Sequence, residues 1–114
     1  MDDHAKDLFK QGVENLQKQN FNEAEHCFEE LKNLYPDNKN ILRNFLVSCI
    51  QNNKFEKSEK IIQKMFNLGL KEKKLIELLL FVYKQLDKID ESQELIIKEK
   101  DVINKKYQLL EKFD

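Results

Sequence analysis

The chain has 114 residues, of which 36% are charged, yet its formal net charge is only -1. Charges of both signs that nearly cancel are typical of solvated helix surfaces, so we expect neither nucleic acid nor a membrane as a partner. Two glycines and one proline are too few for a β-rich fold with many tight turns. No apolar run approaches the ~20 residues of a membrane span, and the N-terminus lacks the pattern of a signal peptide, so we expect a cytoplasmic protein.

Apolar residues at helical spacing predict three pairs of helices in chain order. These helices cover about residues 3–18, 22–34, 39–51, 56–68 and 71–86, and a sixth begins near residue 90. Asn22 and Glu25 have the spacing of a capping box at the start of the second helix. Pro36 ends that helix, and Gly69 suits the left-handed residue that follows a helix end.

The last helix leaves two alternatives open, because no proline or glycine interrupts residues 90–114. It either continues to the C-terminus or breaks near Asn104 and Lys105. Its apolar residues run on to the end of the sequence as Val102, Ile103, Tyr107, Leu109, Leu110 and Phe113. Such a stripe must be covered, either by folding back as a capping helix or by a second copy of the chain, and we favour the fold-back.

The helix pairs repeat every 34 residues. Equivalent positions are occupied by Phe21, Phe55 and Ile89, by Ala24, Ser58 and Ser92, and by Phe28, Ile62 and Ile96. A fixed period of this length is typical of stacked helical hairpins, none of which can bury its apolar face alone.

Residues 8–36 resemble the tetratricopeptide repeat. The small residues Gly12 and Ala24 let two helices approach, and Phe21, Phe28 and Pro36 match the repeat's aromatic and proline positions. The later units match less well, since leucine replaces the glycine and serine replaces the alanine. The resemblance implies an all-α, right-handed α-solenoid within one domain of residues 1–114. Its parts are hairpins over about residues 5–38, 39–72 and 73–106 and a capping or extended helix over 107–114.

In this family the first helix of each hairpin lines a concave groove that holds a peptide or a partner helix. The resemblance implies a groove formed by Lys6, Phe9, Lys10, Val13, Asn40, Arg43, Asn44, Val47, Ile50, Lys74, Glu77, Leu78 and Phe81. Only Asn44 and Lys74 match the residues with which one branch of the family grips a C-terminal carboxylate. We therefore expect a partner with apolar side chains, although part of the apolar strip is alternatively core.

We expect a non-enzymatic scaffold without a cofactor. His26 and Cys27 are adjacent on one helix and point apart, and Cys27 and Cys49 are expected to be buried, reduced thiols. No nucleophile with its base and no phosphate loop is present in the sequence. Two alternatives remain: an N-terminal or accessory domain of a larger system, such as a glycosyl- or sulfo-transferase, and a structural protein that self-assembles as a homodimer through its C-terminal helix.

Overall fold

The computed structural model of the protein describes residues 1–100. Over that range the chain forms six α-helices and no strands. The helices are α1 (Asp3–Gln17), α2 (Phe21–Leu34), α3 (Lys39–Gln51), α4 (Phe55–Asn67), α5 (Lys73–Gln85) and α6 (Ile89–Lys98). The chain divides into two compact units, of which the first, Met1–Leu68, holds α1 to α4 and the second contains α5 and α6. Consecutive helices pack against each other inside each unit, which confirms the all-α prediction and is consistent with a helical repeat.

The turn inside each hairpin has the same backbone geometry. Positive φ angles of 63°, 59° and 56° occur at Gln19, Asn53 and Asp87, which lie 34 residues apart. The next residue in each turn donates its N–H to the carbonyl five positions earlier, at 2.8 Å from Asn20 to Asn15, 2.8 Å from Lys54 to Cys49 and 2.9 Å from Lys88 to Tyr83. These bonds define a Schellman motif. The 34-residue period is therefore a property of the backbone as well as of the sequence.

The predicted capping box at Asn22 and Glu25 is wrong. The helix begins one residue earlier, at Phe21, and its N-cap is Asn20, whose side chain makes no capping hydrogen bond. The physical reason is that Asn20 closes the Schellman turn and starts the next helix at once, which leaves no free N-terminus for Asn22 to cap. Glu25 is instead buried, with 4% of its surface exposed.

Other helix ends follow local sequence more closely. The side chain of Asp2 accepts a hydrogen bond from the backbone of Ala5 at 2.8 Å, and that of Asn38 accepts one from Ile41 at 3.1 Å, so both act as N-caps. Gly69 has a φ of +88° just beyond α4, as predicted. Because α6 ends at Lys98, an uninterrupted final helix is ruled out. The break expected near residue 104 and the apolar stripe from residue 102 lie outside the described residues.

Gly12 on α1 lies against the ring of Phe28 on α2. A Cβ atom placed on Gly12 would lie 2.7 Å from Cζ of Phe28, whose side chain is fully buried. Ala24 on α2 and its equivalent Ser58 on α4 are also fully buried, and the Ser58 hydroxyl donates to the Lys54 carbonyl at 2.7 Å. The small residues Gly12 and Ala24 let α1 and α2 approach closely, as the sequence predicted.

α1 differs from α3 and α5 on one face. Ile41 and Phe45 on α3 are buried. Asp7 and Gln11 occupy the same repeat positions on α1, and both are exposed. That face of α1 is therefore solvated, whereas the same face of α3 is part of the core. None of the helices within residues 1–100 is long and apolar enough to cross a membrane.

Candidate functional site

The predicted groove residues of the first hairpin follow one face of α1. Lys6 and Lys10 are exposed, and Phe9 and Val13 are half-buried. The ring of Phe9 meets that of Phe28 edge to face, with centroids 5.6 Å apart and an interplanar angle of 81°. Phe9 is thus partly a core residue, while the two lysines are free to meet a ligand.

The predicted groove residues of the second hairpin lie on α3, which contacts α1 directly within the first unit. Asn40 and Val47 are exposed, and Arg43, Asn44 and Ile50 are half-buried. The Asn44 amide donates to the Asn40 carbonyl of its own helix at 2.8 Å. The first unit therefore brings together the two helices that carry nine of the thirteen predicted residues.

The predicted groove residues of the third hairpin lie on α5 in the second unit. Lys74, Glu77 and Phe81 are exposed and Leu78 is half-buried. Phe81 also lines an apolar cleft of about 600 Å³ between α5 and α6, together with Leu80, Ile89 and Ile96. None of the thirteen predicted residues is buried. That they form one continuous groove stays a prediction.

A buried ionic cluster in the first unit was missed by the sequence analysis. The Glu25 carboxylate accepts hydrogen bonds from Asn52 at 2.8 Å, from Lys54 at 2.7 Å and from Lys57 at 3.1 Å. Asn52 also donates to the backbone carbonyl of Phe21 at 3.0 Å. The cluster therefore ties α2 to the end of α3 and to the beginning of α4.

Two opposing effects act on the pKa of Glu25. Burial raises the pKa, but the hydrogen bonds from Lys54, Asn52 and Lys57 outweigh burial and lower it to about 2. A signal was present in the sequence, because Glu25 follows the apolar-face residue Ala24 and a carboxylate near the core requires a partner. The identity of that partner required the fold, since Lys54 and Lys57 belong to the next hairpin.

A second cleft, of about 590 Å³, lies between α2 and α4, above α3, and we call it the α2–α4 cleft. It is lined by Glu29, Lys32, Pro36, Leu42, Phe45, Glu56, Lys57, Lys60, Ile61 and Lys64. The ammonium groups of Lys32 and Lys57 lie 5.9 and 5.7 Å from the centroid of the Phe45 ring, within cation–π distance. The site was not predicted, because its walls come from different hairpins.

Both cysteines are free thiols in the part of the chain that the structure describes. Cys49 is buried, as predicted, and Cys27 is half-buried. Burial raises the pKa of both thiols, to about 12 for Cys49. Residues 1–100 contain no group of three or more His, Cys, Asp and Glu that could hold a metal ion.

A scan of protein families found none that matches this chain, and a search of curated proteins found no similar protein.

Proposed function

We propose that the protein is a non-enzymatic binding scaffold of the tetratricopeptide type. The hairpins stack as a right-handed solenoid, and the first helices of the hairpins line a concave groove. The groove holds a peptide or an amphipathic helix that brings apolar side chains, with lysines at the rim that favour acidic flanks.

One observation carries this proposal. Val13, Val47 and Phe81 occupy the same position in successive hairpins, 34 residues apart, and each is apolar. Val13 is half-buried, and Val47 and Phe81 are 45% and 43% exposed. Stacking aligns equivalent positions of successive repeats along one surface. Apolar side chains that stay at least partly exposed at equivalent repeat positions are typical of a binding surface.

Affinity measurements on surface variants test the groove. A partner captured from native cell lysate is identified by mass spectrometry, and its binding to the purified protein is measured by calorimetry. Val47→Ser and Phe81→Ser should each weaken binding about tenfold, because truncating a central apolar anchor costs more than 1 kcal/mol. Both residues are already exposed, so the variants should keep the helical circular dichroism of the parent.

Matched controls come from exposed apolar residues outside the predicted groove. Leu34 at the end of α2 is 56% exposed and Ile97 near the end of α6 is 76% exposed. Leu34→Ser and Ile97→Ser remove the same kind of side chain and should leave affinity within about twofold of the parent. If the partner responds to the controls and not to Val47→Ser or Phe81→Ser, the groove is assigned to the wrong face.

A further inference from the structure

We propose that the α2–α4 cleft is a second docking surface, which takes an acidic peptide segment with one apolar side chain. Its walls are α2 and α4, which carry none of the predicted groove residues, and it goes beyond the proposed function. Three features of the first unit support it: unpaired positive charge on both walls, an apolar floor, and a size that suits a few side chains.

The pairing of charges leaves the cleft with free cations. Lys57 is engaged by Glu25 at 3.1 Å and by Glu29 at 3.2 Å, and Lys64 is engaged by Asp37 at 2.8 Å. Lys32 on α2 and Lys60 on α4 make no ion pair with any residue of the described range. Glu29 is engaged by Lys57, so only the Glu56 carboxylate stands against these two ammonium groups. The unpaired charges that line the cleft are therefore two positive and one negative, and their excess of one positive charge attracts an anion.

The floor of the cleft is apolar. Phe45, Leu42 and Ile61 lie at its base with only 2%, 1% and 6% of their surface exposed. The exposed Pro36 and the alkyl chains of the lining lysines therefore supply most of the apolar surface that a ligand can reach. The Phe45 ring attracts the ammonium of Lys32, at 5.9 Å, towards the interior of the cleft. A carboxylate that enters between the walls meets positive charge beside an apolar surface, where its attraction is less screened than in open water.

The shape of the cleft follows from the packing of the first unit. α2 packs on α3 and α3 packs on α4, but α2 and α4 are not in backbone contact. The gap between them, of about 590 Å³, is in the range that accommodates a small ligand or a few side chains. It is therefore suited to a short segment that inserts one apolar residue, rather than to a whole helix.

All four cations that line the cleft are lysines. They attract an anion as point charges and lack the planar fork with which arginine binds a carboxylate or a phosphate in two places, so the apolar surface beside them is what favours a peptide segment over a free phosphate. The net charge of the whole chain is -1, so no long-range field draws in a polyanion. An acidic, apolar peptide satisfies both the lysines on the walls and the hydrophobic floor.

Fluorescence anisotropy tests this surface with a labelled peptide in which one phenylalanine is flanked by glutamates on both sides. The parent protein should bind it, and Lys60→Glu should weaken binding about fivefold, since charge reversal removes one exposed ion pair and adds a repulsion. Replacing the phenylalanine of the peptide by serine should weaken binding about tenfold. Salt should weaken binding as well, because the Debye length falls from ~10 Å at 0.1 M to ~3 Å at 1 M.

The control is Lys18→Glu, which reverses an exposed lysine after α1 that belongs to neither the cleft nor the predicted groove. Its affinity should equal that of the parent. The proposal is overturned if the parent does not bind the peptide, or if Lys18→Glu and Lys60→Glu weaken binding equally. NMR separates the two sites: peptide-induced shifts at Phe45 and Ile61 support the cleft, whereas shifts confined to Val47 and Val13 assign the peptide to the groove.

Discussion

Replacing Gly12 by alanine perturbs the tightest contact between α1 and α2. The added Cβ would lie 2.7, 2.9 and 3.1 Å from the Cζ, Cε2 and Cε1 atoms of Phe28, against ordinary carbon contacts of ~3.5–4.0 Å. The Phe28 ring cannot easily retreat, because it is fully buried and packs edge to face on Phe9. Forcing such a shift typically costs about 1–3 kcal/mol.

A second effect acts in the opposite direction. Alanine is favoured over glycine in a helix interior by about 1 kcal/mol. The middle of the range for the packing cost is about 2 kcal/mol, and the helix preference of alanine offsets about 1 kcal/mol of it. We therefore expect Gly12→Ala to destabilise the protein by about 1 kcal/mol. For a chain of 114 residues this corresponds to a fall of roughly 4 °C in Tm. Urea denaturation followed by circular dichroism measures the free energy of unfolding directly.

The double variant Gly12→Ala/Phe28→Leu separates the two effects. Leucine lacks the outer ring atoms that make the close contact, and the pair roughly conserves the combined side-chain volume. The helix preference of alanine is the same in both backgrounds and cancels in the double-mutant cycle. We expect the double variant to be more stable than the sum of the single changes by about 1–3 kcal/mol. Additive single effects, or a Gly12→Ala protein more stable than the parent, would refute the close contact.

Two further outcomes are expected in the first unit. The pKa of the Glu25 carboxyl is about 2 in the folded chain, against an ordinary value of 4.5. The ionised carboxylate therefore stabilises the fold by about 3 kcal/mol above pH 4.5. This contribution is lost as the pH falls towards 2, because the carboxylate is then protonated. Urea midpoints of the parent and of Glu25→Gln should therefore converge over that acid range; parallel curves would contradict the assignment. Cys49 is buried and its pKa is raised to about 12, so at pH 8 it should react with a thiol reagent far more slowly than half-buried Cys27. The Cys27→Ala protein reports the rate of Cys49 alone, and the Cys49→Ala protein reports the rate of Cys27 alone. Equal rates in the two proteins would contradict this order.

The helices and their turns were largely predictable because they depend on neighbours in the chain. The limits of α3 agree with the prediction, and those of α1, α2 and α4 differ from it by one residue at one or both ends. Pro36 and Gly69 act locally through their own backbone preferences. The prediction from local spacing was wrong for Glu25. Its distance from Asn22 in the sequence is that of a capping box, but in the folded chain its carboxylate belongs to an ion cluster. Local spacing favoured the cap, and the hairpin geometry excluded it.

The groove and the clefts depended on the fold to different degrees. The thirteen groove residues were named from the repeat pattern, and all of them are at least partly exposed, because a repeat places equivalent residues in equivalent surroundings. The α2–α4 cleft had no such signal. Lys32 and Lys60 belong to different hairpins, and their charge does not follow the repeat. Phe66 and Lys100 correspond to Lys32, whereas His26 and Glu94 correspond to Lys60.

The amino-acid sequence by itself determined the period, the pairing of helices into hairpins and the small residues at their contacts, since each of these results from spacing along one chain segment. Only the tertiary structure decided which charges meet. Glu25 pairs with Lys57, 32 residues away, because packing on α3 brings α2 and α4 close enough for their side chains to bridge. The same packing places Lys32 over the Phe45 ring and leaves Lys32 and Lys60 without an ion pair to any residue in the range 1–100. Electrostatic pairing depends on distances of a few ångströms between segments remote in the chain, and those distances are set by the packing of the core.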